Sequence, residues 1–172
     1  MHFYFYKIYV FLCHSAVSGN GPWKEVVQET LEDSRQQKDP LPLQEFPFPS
    51  QIGRYVKLEV VSYYGRGGGL QYFNIIGPVV ISSVQGEWTQ NGHPKNAWAA
   101  KNVLRMKKKG EKEQEGKDGI YNYWLLPDGA KNKGFTIDFG FVRILNLVKI
   151  VNTHNANWRD RATKEFKVYV RH

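Results

Sequence analysis

Cysteine is almost absent from the chain. The single Cys13 leaves no partner for an internal disulfide and no cysteine set for a zinc cluster. Long apolar runs are missing too. Lys7 interrupts the most apolar stretch, within residues 1–18, and no run reaches the roughly 20 residues that a spanning helix needs. Catalytic signatures are likewise missing: there is no nucleophile elbow, no His-Glu-x-x-His and no phosphate loop. The glycine run at 65–69 precedes an apolar alternating stretch that reads as a strand, whereas a dinucleotide loop opens a helix. The chain is therefore expected not to be an enzyme. No loop of alternating carboxylates suggests a dedicated calcium site. Acidic residues are outnumbered, giving a formal net charge of +8. That excess favours anionic partners such as acidic glycans, anionic lipid heads or nucleic acid, and equally describes a basic soluble surface. The densest basic cluster, Lys107-Lys108-Lys109, is followed by Glu111, Glu113 and Glu115, which dilute its field. Nucleic acid is accordingly not an expected partner.

Aromatic residues are what the chain has in excess: ten Tyr, ten Phe and five Trp. They suit pleated, half-buried surfaces and also serve as binding anchors. Glycine and proline recur throughout, as short strands joined by turns require. Tyr6-Lys7-Ile8-Tyr9-Val10 alternates as a strand does. Residues 1–18 read either as an N-terminal strand region or as a poor signal-like segment, since no Lys or Arg precedes the apolar part. Residues 23–30 form a short amphipathic piece of open type, and 32–39 a polar loop. Pro40, Pro42, Pro47 and Pro49 forbid a helix and favour an extended edge segment. In 54–64, Val56, Leu58 and Val60 share one face while Lys57 and Glu59 share the other. Residues 65–69 read as a flexible turn and 70–76 as the next strand, so this pair is expected to form a hairpin or lie side by side. Further strands are expected at 79–81, 121–126, 135–139, 145–151 and 166–170, with a solvated charged insertion at 105–118. About eight short strands and almost no helix point to an all-β sandwich or jelly roll.

A family resemblance becomes specific at 152–170, Asn-Thr-His-Asn-Ala-Asn-Trp-Arg-Asp-Arg-Ala-Thr-Lys-Glu-Phe-Lys-Val-Tyr-Val. It resembles the discoidin segment in which a strand ends, an Asn-rich loop passes an Asp-Arg pair, and a Phe-x-Val-x-Val strand begins. Gly134-Phe135-Thr136-Ile137-Asp138-Phe139-Gly140 is similar to the strand of that family ending in Asp-Leu-Gly. Tyr123-Trp124 and Ser82-Ser83 match its Tyr-Trp and paired serines. Arg54-Tyr55-Val56-Lys57-Leu58-Glu59-Val60, with Gly67-Gly68-Gly69-Leu70-Gln71, resembles the last two strands, and Gly21-Pro22-Trp23-Lys24-Glu25-Val26 an earlier segment. The order is swapped. Residues 19–76 resemble the C-terminal half of the domain and 77–172 its N-terminal half. Tyr6-Lys7-Ile8-Tyr9-Val10 also resembles Phe166-Lys167-Val168-Tyr169-Val170. The resemblance implies a galactose-binding-like jelly-roll β-sandwich of about eight antiparallel strands. Two arrangements stay open: closure of the halves as a circular permutation, which the proximity of domain termini allows, or two half-domains that need neighbouring sequence.

The same resemblance implies a cell-surface or extracellular binding and adhesion module for carbohydrate, anionic lipid or a matrix protein, with peripheral membrane contact. An accessory module of a larger extracellular enzyme and a truncated structural repeat are the rival readings. Ligands are expected at loops on one end, about 86–94, 105–133 and 152–161. The candidate contacts are Trp88, Asn91, His93, His154, Asn155, Trp158 and Arg159. Trp stacks on a sugar face or enters a lipid interface, Asn and His hydrogen-bond, and Arg forks onto acidic groups. Trp124, Asp138 and Phe166 are expected in the core, and Asp160 and Arg161 are expected to brace the loop as a pair. No cofactor is expected. Calcium, which some discoidin domains hold, would be bound here only through backbone carbonyls. The widely spaced His and paired Arg of the fucose-binding branch are missing, as is the usual terminal cysteine pair.

Overall fold

The computed structural model describes residues 22–76, 83–86, 98–104, 123–155 and 158–172. The expected strands at 6–10 and 79–81, the signal-like segment 1–18, the insertion 105–118, and Trp88, Asn91 and His93 lie outside the described residues. Within them the protein is all-β. Nine strands follow in order: β1 (Lys24–Thr30), β2 (Leu43–Val60), β3 (Tyr63–Gly65), β4 (Gly69–Ile75), β5 (Ser83–Gly86), β6 (Trp124–Leu125), β7 (Gly134–Asn152), β8 (Arg161–Thr163) and β9 (Glu165–Arg171). A 3-10 turn, Ala100–Leu104, is the helical element among the described residues. The strand ladders are antiparallel, in the order β1-β9-β2-β7-β4-β6, with β5 on β7 and a separate β3-β8 pair.

Two strands are far longer than the usual five or six residues. β2 has 18 and β7 has 19, and their mutual register breaks twice. Between Gly53 and Tyr55 on β2, the partner strand runs from Arg143 to Asp138, so residues 139–142 form a bulge whose Gly140, Phe141 and Val142 are exposed. Gly140 sits there with φ of 77°, a conformation that costs a side chain dearly, and its N–H donates to Asp138 Oδ1 at 2.8 Å. Between Pro47 and Gln51 the extra residues lie on β2 instead. These breaks turn both strands a corner, so each serves two layers. The first layer is β1, β9, residues 55–60, residues 134–138 and β5. The second is residues 43–47, residues 147–152, β4 and β6. The register thus gives a β-sandwich-like pair of layers. Strands from before and after residue 77 alternate within it.

Period-two alternation explains what fills the space between. Val56, Leu58 and Val60, then Phe135, Ile137 and Phe139, then Phe166, Val168 and Val170, are all buried. The facing layer contributes Leu70, Phe73, Ile75, Leu145, Val148 and Ile150 to the same core. Aromatic edges join the layers. Phe46 meets Phe166 with ring centroids 5.1 Å apart, and Phe73 and Trp124 meet Phe135 at 5.3 and 5.0 Å. Trp124 and Phe166 are fully buried.

Several expectations are corrected. The stretches 135–139 and 145–151 are one bent strand, because Gly140 turns the chain without ending its pairing. The proline-rich stretch is extended and lies at the edge of its layer, but it continues unbroken into 54–60. Residues 54–60 and 70–75 are not neighbours. β7 separates β2 from β4, since the intervening chain crosses from one layer to the other. The glycine run is not loose: Gly67, Gly68 and Gly69 are buried, and a Cβ on Gly69 would strike the Trp124 carbonyl. Asp138 is not a core residue. With Phe135, Ile137 and Phe139 facing inward, it projects from the other face. There Arg54 grips it from Nε and Nη2 at 2.7 and 2.8 Å.

That grip sets a pH dependence. The Arg54 hydrogen bonds, aided by the Gly140 N–H and opposed by partial burial, hold the Asp138 carboxyl below its ordinary range. A depressed carboxylate stabilises the fold fully above its unfolded value, about 3.9, and the contribution disappears as pH falls through the lower folded value. Urea midpoints measured from neutral pH downward are expected to decline more steeply below pH ~4 in the parent than in Asp138→Asn. Parallel curves would contradict it.

Candidate functional site

Four connections cover one end of the sandwich. Residues 31–42 lead from β1 to β2, and 61–68 from β2 to β4. Residues 126–133 lead from β6 to β7, and 153–164 from β7 to β9. Each passes between the layers opposite the corner where β2 and β7 bend, so all four meet at the open end.

Side chains lock them together. Asn152 is buried and satisfied on both sides of its amide. Its Nδ2 donates to the carbonyls of Glu32 and Thr163 at 3.0 and 2.8 Å, and its Oδ1 accepts the N–H groups of Thr153 and Thr163 at 3.0 Å each. Thr163 Oγ1 donates to the Gly69 carbonyl and accepts the Gly69 N–H. Ser34 Oγ donates to the Thr153 carbonyl at 2.6 Å. Buried Arg161 donates to the Leu126 carbonyl at 2.8 Å and forms an ion pair with Asp128. The expected brace between Asp160 and Arg161 is therefore a different one. Arg161 opens a strand and points away from its neighbour. Asp160 instead accepts from Asn155 Nδ2 at 2.6 Å, and its carbonyl accepts the Arg66 N–H.

The candidate contact residues that are described divide sharply. His154 is buried, with Nε2 3.5 Å from Asp39. Asn155 is buried too, in the left-handed region at φ of 58°, which asparagine tolerates best among residues with a side chain. Both lie in the floor of the loop rather than its tip, His154 against Asp39 and Asn155 hydrogen-bonded to Thr153 and Asp160. Arg159, at φ of 48°, donates from Nη1 to the carbonyls of Arg35 and Gln37 at 2.9 and 3.3 Å. It ties two loops while remaining exposed at the surface. Trp158 stands clear, 80% exposed, with its backbone N–H donating to the Asn155 carbonyl at 3.1 Å.

Basic groups surround this end. Arg35 is bound to Asp33 and lies 5.6 Å from the Tyr64 ring. The Arg35 hydrogen bonds draw the Asp33 carboxyl below its ordinary range. Arg66 is largely exposed, 3.6 Å from Asp128. On the outer face of the first layer at the same end, a groove of about 730 Å³ is lined by residues that include Lys57, Glu59, Gln85, Lys131, Lys133 and Thr136. Lys131 and Lys133 fall in the 105–133 region where ligands are expected. Lys57, Gln85 and Thr136 carry no sequence signal beyond facing outward on strands. Among the described residues no group of three or more His, Cys, Asp or Glu is placed to hold a metal ion, and no helix is long and apolar enough to cross a membrane. No family model, curated protein or solved structure matches the chain. The groups presented at this end are one indole face, guanidinium and ammonium groups, and amides.

Proposed function

We propose that this chain is a non-catalytic recognition module of the discoidin, galactose-binding-like kind, closed as a circular permutation. It grips acidic carbohydrate at a cell surface or in the extracellular matrix through its open end. The observation that carries this reading is Trp158, an indole 80% exposed on a loop whose base is hydrogen-bonded into three neighbouring connections. A bare indole on a mobile loop would lose affinity to ordering; on a loop whose base is braced, it offers a flat apolar face at lower entropic cost. Lys131 and Lys133, beside the ion-paired Arg35 and Arg66, supply positive charge at the same end, which favours sulfated or carboxylated sugars over neutral ones. The alternation of strands from before and after residue 77 in one sheet supports the permuted closure.

A glycan array of sulfated, carboxylated and neutral oligosaccharides tests the reading. Binding is expected to the acidic members and to weaken with added salt. Trp158→Ala is expected to lose at least about ten-fold in affinity, as truncation of an aromatic anchor does, with an unchanged urea midpoint. Equal binding by parent and variant would refute the site, and preference for neutral sugars would refute the ligand class.

A further inference from the structure

The opposite end of the sandwich, where β2 and β7 bend, carries an apolar surface. Eight large apolar side chains are exposed among the described residues, and four of them belong to this corner: Ile52, Phe141, Val142 and Ile144. Ile52 and Ile144 are direct Cα partners across β2 and β7, and the bulge that holds Phe141 and Val142 ends at Arg143, next to Ile144. Ile144 is the barest of the four, at 66%. A contiguous exposed apolar patch marks a surface that makes an apolar contact.

The described chain begins beside this patch. Lys24 opens β1 as the Cα partner of Val170, near the end of β9. Its Nζ donates to Gln51 Oε1 at 2.7 Å, one residue from Ile52. Arg171 lies over the Trp23 ring at 4.4 Å, and Gly53 packs so closely on Arg171 that a Cβ there would come within 2.9 Å of its carbonyl oxygen. Pro22 is exposed. The 21 residues before it therefore leave from the corner. They include Tyr4-Phe5-Tyr6-Lys7-Ile8-Tyr9-Val10-Phe11-Leu12, in which eight of nine residues are aromatic or aliphatic and Lys7 is the one charge. Residues 13–21 bridge up to about 30 Å when extended, enough to bring that segment onto the patch.

We propose that residues 4–12 of the same chain dock on the corner and cover Ile52, Phe141, Val142 and Ile144. Segment and patch then leave water together, with a gain that grows with the apolar area removed. A second copy of the chain is the rival occupant, and two physical terms disfavour it. The net charge is +8 and Lys24 and Arg171 border the patch, so two copies would meet with like charges. A tethered segment instead brings a single charge, at an effective concentration on the order of millimolar. The docking is independent of carbohydrate binding, because Trp158 stands at the opposite end.

The sole cysteine, Cys13, directly follows the segment and takes a nitroxide spin label without any substitution. In the full, isotope-labelled chain, the label is expected to broaden the methyl signals of Ile52, Val142 and Ile144. The methyl of Ala162, at the open end, is expected to stay sharp. A label that was only tethered would also broaden the corner, so Ile8→Asp decides. It is expected to remove most of the broadening, with unchanged circular dichroism. Val142→Asp and Ile144→Asp are expected to remove it from the other side and to lower the urea midpoint, whereas substitution at an uncovered surface position leaves stability almost unchanged. Broadening that survives both Ile8→Asp and Ile144→Asp would overturn the proposal. Mixing a spin-labelled chain without isotope and an isotope-labelled chain without spin label separates the rival. Corner signals broadened in that mixture would overturn the proposal too and assign the patch to a second copy.

Discussion

Asn152→Ala is expected to destabilise the protein by about 3–5 kcal/mol, although it removes neither a core side chain nor a charge. Four hydrogen bonds end on this one amide. Truncation strands the N–H groups of Thr153 and Thr163 and the carbonyls of Glu32 and Thr163. Buried polar groups left without partners cost about 1–3 kcal/mol each, reduced where water can enter. The consequence is wider than the site of change. Glu32 belongs to the first connection over the open end, Thr153 and Thr163 to the last, and Thr163 holds Gly69 at the end of another. Loss of the amide is expected to loosen the base on which Trp158 stands, so binding should weaken together with stability. Urea unfolding gives the stability. Asn152→Asp separates the roles: it keeps the acceptor and loses both donations, and it buries a charge. It is expected to be destabilised as well. An alanine variant within 1 kcal/mol of the parent would show that the connections are held chiefly by other contacts.

Phe135→Ala is expected to cost about 3–5 kcal/mol through a different mechanism, the cavity left by a large buried ring. Phe135 is 2% exposed and meets two rings of the opposite layer, Phe73 and Trp124, both edge-on. Each such contact adds about 0.5–1.5 kcal/mol to simple burial. Because the partners come from β4 and β6, the ring joins the two layers rather than neighbours in one sheet. A double-mutant cycle between Phe135→Leu and Trp124→Phe is expected to show coupling of about 0.5–1.5 kcal/mol. Additive effects would mean that the layers do not meet at these rings.

Much of the fold was legible because alternation is a direct record of which face is buried. Val56, Leu58 and Val60, the triplet from Phe135 to Phe139, and the triplet from Phe166 to Val170 all face inward as their spacing requires. Prolines 47 and 49 correctly marked an edge. What local pattern could not carry was continuity. A strand that bends at Gly140 and pairs on both sides of the bend reads as two strands, because alternation stops at the bulge while hydrogen bonding resumes after it. Partnering was equally hidden. Residues 54–60 and 70–75 are near in sequence, yet β7 lies between β2 and β4.

The candidate site was legible by composition and misjudged by depth. The loop after β7 was marked by its Asn, His, Trp and Arg residues, and Trp158 is exposed as a contact would be. His154 and Asn155 carry the same polar signal but lie beneath it, since polarity does not distinguish a group that bonds ligand from one that bonds the backbone beside it. Asn152 reads as the start of a polar loop, and nothing in sequence marks an amide that makes four hydrogen bonds to three residues. The exposed corner was hidden for the converse reason. Ile52, Phe141, Val142 and Ile144 look like core residues, yet all four are exposed where β2 and β7 bend.

Titration of the isotope-labelled chain with a sulfated oligosaccharide, followed through the indole N–H signals, addresses the open-end binding surface most directly. Five tryptophans give one reporter each. If the exposed indole at the open end grasps the sugar, the signal of Trp158 moves most and saturates, while those of buried Trp124 and of Trp23 near the corner stay nearly fixed. A saturating shift centred on Trp23, or no movement at Trp158 while the sugar binds, would contradict it.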